Sequence, residues 1–502
     1  MRRFIALALL GGLAAITVTP EAHAGGLSTA RFGGDLGNVV GNNPGAIYYN
    51  PGAIGLSRGF NFMVDGILAW RTATYERSEI CAPGGATPTP CGYGPNNNEY
   101  AEPSDGIGAN NSKSTLKNVV AAPMLGATGR VPVSEDVALG FGAGFFVPFG
   151  GQSSWNGNSA FDGSRYTGAQ DGAARWWAID GTLRSLFVSA AFSVSISELV
   201  HLGISGGIAI NQVDTIRAKT LDGSNNLLAE GRALLQGKSI DPQLGGGVVV
   251  TPFKNNDLRL GVSYQAPVGI TGVAMGGTLT LHDGRGQVTE QDVDFHTVWP
   301  DTFRFGVAYK PIEELELRLN ANVQRWSLLK DQCITNAGAP CDIEEDGSEP
   351  LADPNNPDGP EKDDNIVNIP RRWNDSFGIR VGATYNIIPE VGIFGGVGYD
   401  SNAVPDATLE PALTDFHDVA VNIGGQFQFT ENIGLAASYT QIFYISRDNT
   451  GKGELQNFAP DSLGPDAAGK FTQAIGFLNI NVIGSFDPWA EEAPEPQAAS
   501  SR

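Results

Sequence analysis

Alternation of apolar and polar residues is the clearest pattern along the chain. In FLNINVIGSF, the side chains of Leu478, Ile480 and Val482 fall on one face of an extended segment, and those of Asn479 and Asn481 fall on the other. The stretch LELRLNANVQ alternates in the same way. A period of two predicts β-strands with one apolar face. Such strands occur in soluble β-sandwiches and in membrane β-barrels, so alternation alone leaves both classes open.

The lengths of the connections between strands favour a barrel. Short turns such as PVSED, PFKNN and TEN alternate strictly with long loops, which is typical of outer-membrane barrels. Residues 272–296 are either an extra hairpin above the membrane or two more spanning strands, which would make sixteen. The fourteen predicted strands are 58–75, 117–131, 137–149, 183–196, 200–217, 238–252, 257–268, 301–311, 315–328, 373–388, 391–400, 416–429, 433–446 and 470–486.

The two ends of the chain differ from the barrel region. A basic start, an apolar run and Ala-His-Ala predict a secretory signal peptide over residues 1–24. Residues 25–57 form a turn-rich N-terminal segment, and the transmembrane β-barrel is predicted over 58–486. The Pro- and Glu-rich tail, 487–502, is expected to be disordered in the periplasm. We therefore predict an all-β, antiparallel up-and-down barrel of about 14 strands.

The N-terminal segment contains a repeat, because GNNPGAIYYNPGAIG holds Asn-Pro-Gly-Ala-Ile twice. In each copy proline fixes φ and glycine is free to take positive φ, which predicts two consecutive tight turns. A barrel of fourteen strands has a lumen too wide for its own side chains to fill. We therefore expect this segment to lie inside the barrel as a small hatch that plugs the lumen.

Charge and cysteine content narrow the function further. The chain of 502 residues carries a formal net charge of −22, which argues against nucleic acid as a partner. Much of the acid lies in 331–364, a predicted external loop that either is solvated or binds Ca²⁺ without an EF-hand pattern. In an exported chain we expect two loop-closing disulfides, and the candidates are Cys81 with Cys91 and Cys333 with Cys341.

Three glycines share one face of the third predicted strand, Gly140, Gly142 and Gly144. Glycine weakens a strand, favours bends and lets another backbone approach closely. The row therefore marks either a lateral opening in the wall or a place where the wall makes room for a plug.

Four inward-facing arginines come from four successive predicted strands: Arg259, Arg304, Arg318 and Arg380. A guanidinium offers a planar fork of donors and stays charged, which suits the carboxylate of a ligand. Inward-facing Glu316 and Asp375 offer the alternative that these charges are ordinary lumen ion pairs.

Several motifs in order resemble the FadL/TodX family of outer-membrane transporters of hydrophobic compounds. They are AIYYNPGAIG, GFGAGFFVPFG, LRLGVSYQAPV, PDTFRFGVAYKP and GYDSNAVPD, and the resemblance covers residues 25–486. It implies uptake of long-chain fatty acids or aromatic hydrocarbons across the outer membrane of a Gram-negative bacterium. Ligand would be captured at external loops, pass to a lumen pocket, and leave sideways where the third strand bends inward. The family's Asn-Pro-Ala hatch motif would fall on Asn50, Pro51 and Gly52, with glycine in place of alanine.

Further expectations follow from what the sequence lacks. The histidines, His23, His201, His282, His296 and His417, lie in no recognisable catalytic or metal motif, so we expect no enzyme activity, metal or cofactor. The expected partners are a long-chain fatty acid or another hydrophobic small molecule, and outer-membrane lipids. A complete barrel has no free sheet edge, so we expect a monomer. The main rival is a passive, water-filled general porin.

Overall fold

The computed structural model describes residues 32–78, 106, 108–220, 227, 230–253, 257–343, 364–453 and 467–489. The predicted signal peptide, the pair Cys81 and Cys91, the centre of the acidic loop and most of the C-terminal tail lie outside the described residues.

In this part of the chain nineteen strands form one antiparallel sheet. They are β1 (Phe60–Arg77), β2 (Lys113–Pro132), β3 (Val137–Gln152), β4 (Asp180–Ile196), β5 (Val200–Thr220), β6 (Glu230–Val250), β7 (Leu258–Gln265), β8 (Val273–His282), β9 (Val288–Thr297), β10 (Thr302–Ile312), β11 (Leu315–Gln324), β12 (Asp331–Asn336), β13 (Asn365–Pro370), β14 (Ser376–Ile388), β15 (Val391–Asp400), β16 (Asp418–Thr430), β17 (Ile433–Tyr444), β18 (Arg447–Asp448) and β19 (Gly469–Phe486).

Helical structure is confined to short pieces. One α-helical turn covers Ala46–Tyr49, and the 3₁₀ helices are Gly34–Leu36, Pro51–Leu56, Ser159–Phe161, Thr167–Asp171, Ala173–Trp176, Trp326–Leu328 and Asp406–Thr408. Within the described ranges no helix has both the length and the apolar character needed to cross a membrane.

Fourteen of the strands close into a ring in the order β1-β2-β3-β4-β5-β6-β7-β10-β11-β14-β15-β16-β17-β19. The ring closes because β1 pairs with β19 along its whole length, from Phe60 with Phe486 to Arg77 with Gly469. Both edges of the sheet are therefore paired. The backbone N–H and C=O groups at these edges then have hydrogen-bond partners within the protein, which the interior of a bilayer requires. The predicted all-β barrel of fourteen strands is confirmed.

Burial along β1 shows which face meets the membrane. Phe62, Val64 and Leu68 are exposed on the outside, whereas Met63 and Ile67 are buried inside. At the outer surface Trp70 of β1 stacks on Tyr439 of β17, with ring centroids 5.6 Å apart. An apolar outer band that includes aromatic residues is the surface that contacts lipid.

The remaining hairpins extend the sheet above the barrel. β8 pairs with the first part of β6 and with β9, β9 also pairs with β12, and β12 pairs with β13. The ring itself passes directly from β7 to β10. Residues 272–296 therefore form the extra hairpin above the membrane and add no spanning strand.

Candidate functional site

The Asn-Pro-Gly repeat forms two similar turns, and the second of them caps a helix. Oδ1 of Asn43 accepts from the backbone N–H of Gly45 at 2.9 Å, just before the α-helical turn. Oδ1 of Asn50 accepts from the N–H of Gly52 at 3.0 Å and caps the 3₁₀ helix Pro51–Leu56. Asparagine is suited to such caps, and proline suits the first helical position because it has no N–H to leave unpaired. The repeated sequence is thus explained by a repeated turn.

The second turn is attached to the barrel wall. The Nδ2 of Asn50 donates to the carbonyl oxygens of Val248 in β6 and Val262 in β7, at 3.1 and 3.4 Å. A Cβ on Gly52 would lie 2.8 Å from the carbonyl oxygen of His201. The backbone therefore approaches the wall so closely at this position that glycine fits where the family motif has alanine.

Contacts of the N-terminal segment, residues 32–57, reach both sides of the lumen. The N–H of Gly33 donates to Oδ2 of Asp65 in β1 at 3.0 Å. Ser263 in β7 donates through Oγ to the carbonyl oxygen of Tyr49 at 2.5 Å. β1 and β7 are six strands apart in the ring of fourteen, so the segment extends across the lumen.

The wall is interrupted between β2 and β3. The two strands pair from Pro132 with Ala138 to Leu125 with Phe145, and the pairing then stops. Contact resumes where Nδ2 of Asn118 donates to the carbonyl oxygen of Gln152 at 3.1 Å. In the described structure residues 119–124 of β2 thus have no strand partner on this side.

A bulge in β3 accompanies this interruption. The register of β3 against β4 shifts between Phe146 and Phe149, and residues 146–151 are all buried. Pro148 lies within the bulge, where its lack of an N–H removes a ladder hydrogen bond. In the sequence, Pro148 is the residue that indicates this break. The glycine row, on which the prediction was based, does not indicate it.

The predicted glycine row lies below the break, in the fully paired part of β3. The face of Gly140 is occupied by Ile54, and that of Gly142 by Ile47, both from the N-terminal segment. Gly144 lies beneath the ring of Phe146.

Three of the four predicted arginines are engaged by acidic side chains of the wall. Arg259 pairs with Glu316 at 2.5 Å, and Arg318 lies 3.4 Å from the same carboxylate. Arg380 pairs with Asp400 at 2.6 Å. The arrangement resembles an internal ion-pair lattice of the barrel more than an open anion site.

The fourth arginine, Arg304, lies over the ring of Tyr48, with 4.6 Å from its Cζ to the ring centroid. It therefore contacts the N-terminal segment by a cation–π interaction. The predicted acidic partner Asp375 instead accepts from the N–H of Ser327 at 3.0 Å.

A large cavity lies at the loop end of the barrel. It encloses about 1380 Å³ of empty space, its open mouth included, and its walls come from β4, β5, β6, the external sheet and the loops. Most of its lining is apolar, including Trp177, Leu183, Val213, Leu235 and Phe295. Pockets of this kind take hydrophobic ligands, and a few placed polar groups orient them.

The charged groups of this cavity are unequal in sign. Its lining contains Arg217, Lys219 and Arg371 but one carboxylate, Glu410. Arg371 forms an ion pair with Glu410, with 2.5 Å between Nη1 and Oε1, and both side chains are buried. Among the described residues neither Arg217 nor Lys219 forms an ion pair, although the Glu410 carboxylate acts electrostatically on Arg217. The cavity therefore has an excess of positive charge.

Neither cation was among the predicted inward arginines, because Arg217 is the last residue of the predicted strand 200–217 and Lys219 lies two residues beyond its end. The period of two nevertheless continues through VDTIRAKT, with Val213, Thr215, Arg217 and Lys219 on one face. Extending the alternation by two residues would have placed Lys219 on the same inner face as Arg217.

The external sheet beside the cavity is held by a disulfide between Cys333 and Cys341, whose Cα atoms are 5.7 Å apart. Next to it, Nε2 of His296 in β9 lies 3.0 Å from Oγ1 of Thr335. Burial lowers the pKa of His296, which keeps this imidazole neutral near pH 7. No cluster of possible metal ligands occurs among the described residues.

A closed fourteen-stranded barrel with an apolar outer band and an apolar cavity at its loop end defines an outer-membrane transport protein for hydrophobic solutes. Residues 11–457 match the model of the outer membrane protein transport protein (OMPP1/FadL/TodX) family. The chain therefore belongs to this family, whose members are transport channels of the Gram-negative outer membrane rather than enzymes.

Solved structures with the same fold include a FadL homologue of Pseudomonas aeruginosa, with a TM-score of 0.68 and 16% identity over 93% of this chain and 100% of the other. The toluene transporter TodX of P. putida has a TM-score of 0.58 and 13% identity, over 92% and 98% of the two chains. The toluene transporter TbuX of Ralstonia pickettii has a TM-score of 0.55 and 13% identity, over 92% and 99%. A search of curated proteins found no match.

Proposed function

We propose that the hydrophobic compounds carried by this protein are long-chain fatty acids. Ligand enters the external cavity, moves toward the N-terminal segment, residues 32–57, which acts as the hatch, and leaves sideways into the membrane between β2 and β3. The protein acts as a monomer, because its closed sheet has no edge that needs a partner.

The observation that carries the choice of substrate is the presence of Arg217 and Lys219 in a mainly apolar cavity. Both side chains are half-buried, and neither forms an ion pair among the described residues. Removing a positive charge from water is costly, so such a site favours a ligand that brings the opposite charge. A fatty acid supplies a carboxylate for the two cations and an alkyl chain for the apolar walls. An uncharged hydrocarbon would satisfy the walls alone.

We expect the double variant Arg217→Gln/Lys219→Gln to bind oleate about tenfold more weakly or worse, since hydrogen bonds to charged groups are worth about 1.5–3 kcal/mol each. Displacement of a fluorescent long-chain fatty acid from the purified protein in detergent measures this. The matched control is Arg318→Gln, which removes an inward arginine that already has Glu316 and Thr384 as partners. Equal oleate affinity in the double variant and the parent would remove the carboxylate site.

Uptake of aromatic hydrocarbons is the second candidate, favoured by the shared fold of TodX and TbuX, which are toluene transporters. Toluene that displaces the fluorescent fatty acid as well as oleate does, with the double variant unaffected, would support this candidate. A general porin would show no saturable binding and a steady ion conductance in a planar bilayer.

The lateral exit rests on the unpaired edge of β2. Ala122 is buried on the inner face at this edge, and Ala121 is its neighbour on the membrane side. Ala122→Trp should fill the break and reduce uptake into cells at least severalfold, with oleate binding unchanged. A substitution at Gly142 is a poorer test of whether the glycine row marks a lateral opening or makes room for a plug. It would also displace Ile47 of the N-terminal segment.

The control for this test is Ala121→Trp, which adds the same bulk outside the barrel. If Ala122→Trp and Ala121→Trp took up fatty acid equally fast, the ligand would not leave through this break.

A further inference from the structure

The inner faces of β3, β4 and β5 form successive layers below the external cavity. Gly151, Leu183 and Val213 are cross-strand neighbours and line the cavity. Two residues farther along each strand, away from the loops, the next inward layer is Phe149, Ser185 and Asn211. A solute that leaves the cavity toward the N-terminal segment therefore meets this second layer first.

An aromatic stack occupies the second layer. The rings of Phe149 and Trp299 lie 5.2 Å apart and 19° from parallel, and both side chains are buried. The indole N–H of Trp299 donates to Oδ1 of Asn211 at 3.0 Å, which fixes its orientation. Trp326 packs edge-on against Phe149 at 6.3 Å.

Aromatic contacts continue from this stack to the N-terminal segment. Phe149 contacts Phe187 in the next layer, with centroids 6.3 Å apart, and Phe187 contacts Tyr48 at 6.4 Å. The cross-strand neighbour of Phe149 on β4 is the small residue Ser185, whose buried Oγ has no hydrogen-bond partner in the described structure. Aromatic rings therefore lie along the way from the cavity to the hatch, with Phe149 at the centre of the contacts.

We infer that Phe149, stacked on Trp299, is the specificity-determining gate between the external cavity and the lateral break. Phe149 stands at the end of the β3 bulge, beside the stretch where β2 and β3 are unpaired. A slender alkyl chain passes when the ring rotates or the bulged strand shifts, whereas a bulky hydrophobe is held in the cavity. The gate refines the proposed route, but it closes the lumen whichever hydrophobic solute is carried.

The test is the ion conductance of Phe149→Ala in planar bilayers. We expect it to rise severalfold above that of the parent, because the ring is removed from the layer directly below the cavity, while oleate affinity in the cavity changes less than threefold. Proteoliposomes should also take up a fatty acid with a bulky terminal fluorophore at least severalfold faster. The matched control is Phe141→Ala, the same substitution on the outer face of the same strand, where Phe141 is 46% exposed.

Trp299→Leu is the second variant, and it should raise conductance in the same direction because the stack loses its other ring. A difference in gel migration between the unheated and the heated protein identifies the folded variants. Parental conductance in a folded Phe149→Ala or Trp299→Leu protein would overturn the gate. Failure of the parent to bind oleate would instead overturn the fatty-acid proposal, since the conductance readout needs no ligand.

Discussion

Replacing Gly203 with valine is expected to push the N-terminal segment away from the wall and to raise ion conductance severalfold. Gly203 faces the lumen from β5, and a Cβ at this position would lie 2.3 Å from the backbone nitrogen of Gly52. The atoms in the way belong to backbone, so no side-chain rotation relieves the clash. The hydrogen bonds of Asn50 to β6 and β7 hold the same turn and would be broken by its displacement.

The control is Gly206→Val in the same strand. Gly206 faces outward, and the nearest neighbour of an added Cβ is the side-chain tip of Leu244 at 3.1 Å, which can move. Both variants should form heat-modifiable barrels, but only Gly203→Val should conduct more and expose the N-terminal segment to protease. Parental conductance and protease resistance in folded Gly203→Val would show that this turn does not seal the lumen.

The sequence predicts the barrel well because its physical signals are local. Alternation along each strand reflects a wall with lipid on one side, and the spanning strands need this pattern throughout. All fourteen predicted segments overlap an observed spanning strand, and the strand predicted over 391–400 has the observed limits. The main difference concerns the external ends of two strands, because β5 continues to Thr220 and β6 begins at Glu230. The two strands continue to pair beyond the membrane, although the lipid-facing pattern fades there.

The candidate site was predicted less completely because it depends on long-range pairing. Alternation places Arg259, Arg318 and Glu316 on the inner face, but it does not show which acid reaches which arginine. Glu316 in β11 reaches Arg259 in β7, with β10 lying between them. Likewise Arg217 becomes a candidate only when the loops and the external sheet are seen to close a cavity around it.

A second large effect is expected at Arg175, which ties the external loops together. Its Nε and Nη2 bind both carboxylate oxygens of Glu230 at 2.8 and 3.0 Å, and both side chains are buried. Nη1 donates to the carbonyl oxygens of Ala109 and Gly172 at 2.6 and 2.9 Å. One guanidinium thus joins the residues before β2, the β3–β4 loop and the start of β6.

Arg175→Met should destabilise this loop region by about 3–5 kcal/mol, the usual cost of leaving one member of a buried ion pair without its partner. Trp176 and Trp177, next to Arg175, line the cavity, so fatty-acid affinity should fall with the loss of order. Hydrogen exchange across 159–178 and oleate binding measure the two effects. Arg232→Met is the control, because Arg232 is 46% exposed and its pair with Asp171 is worth about 0–1 kcal/mol.

The double variant Arg175→Met/Glu230→Leu tests whether the unpaired charge of Glu230 causes the loss of protection in Arg175→Met. Apolar replacement of both members of a buried pair removes the unpaired charge and is often neutral or stabilising. The double variant should therefore recover much of the hydrogen-exchange protection that Arg175→Met loses. If it stayed as unprotected as the single variant, the carbonyl contacts of Arg175 with Ala109 and Gly172 would be the main restraint on the loops, rather than the charge of Glu230.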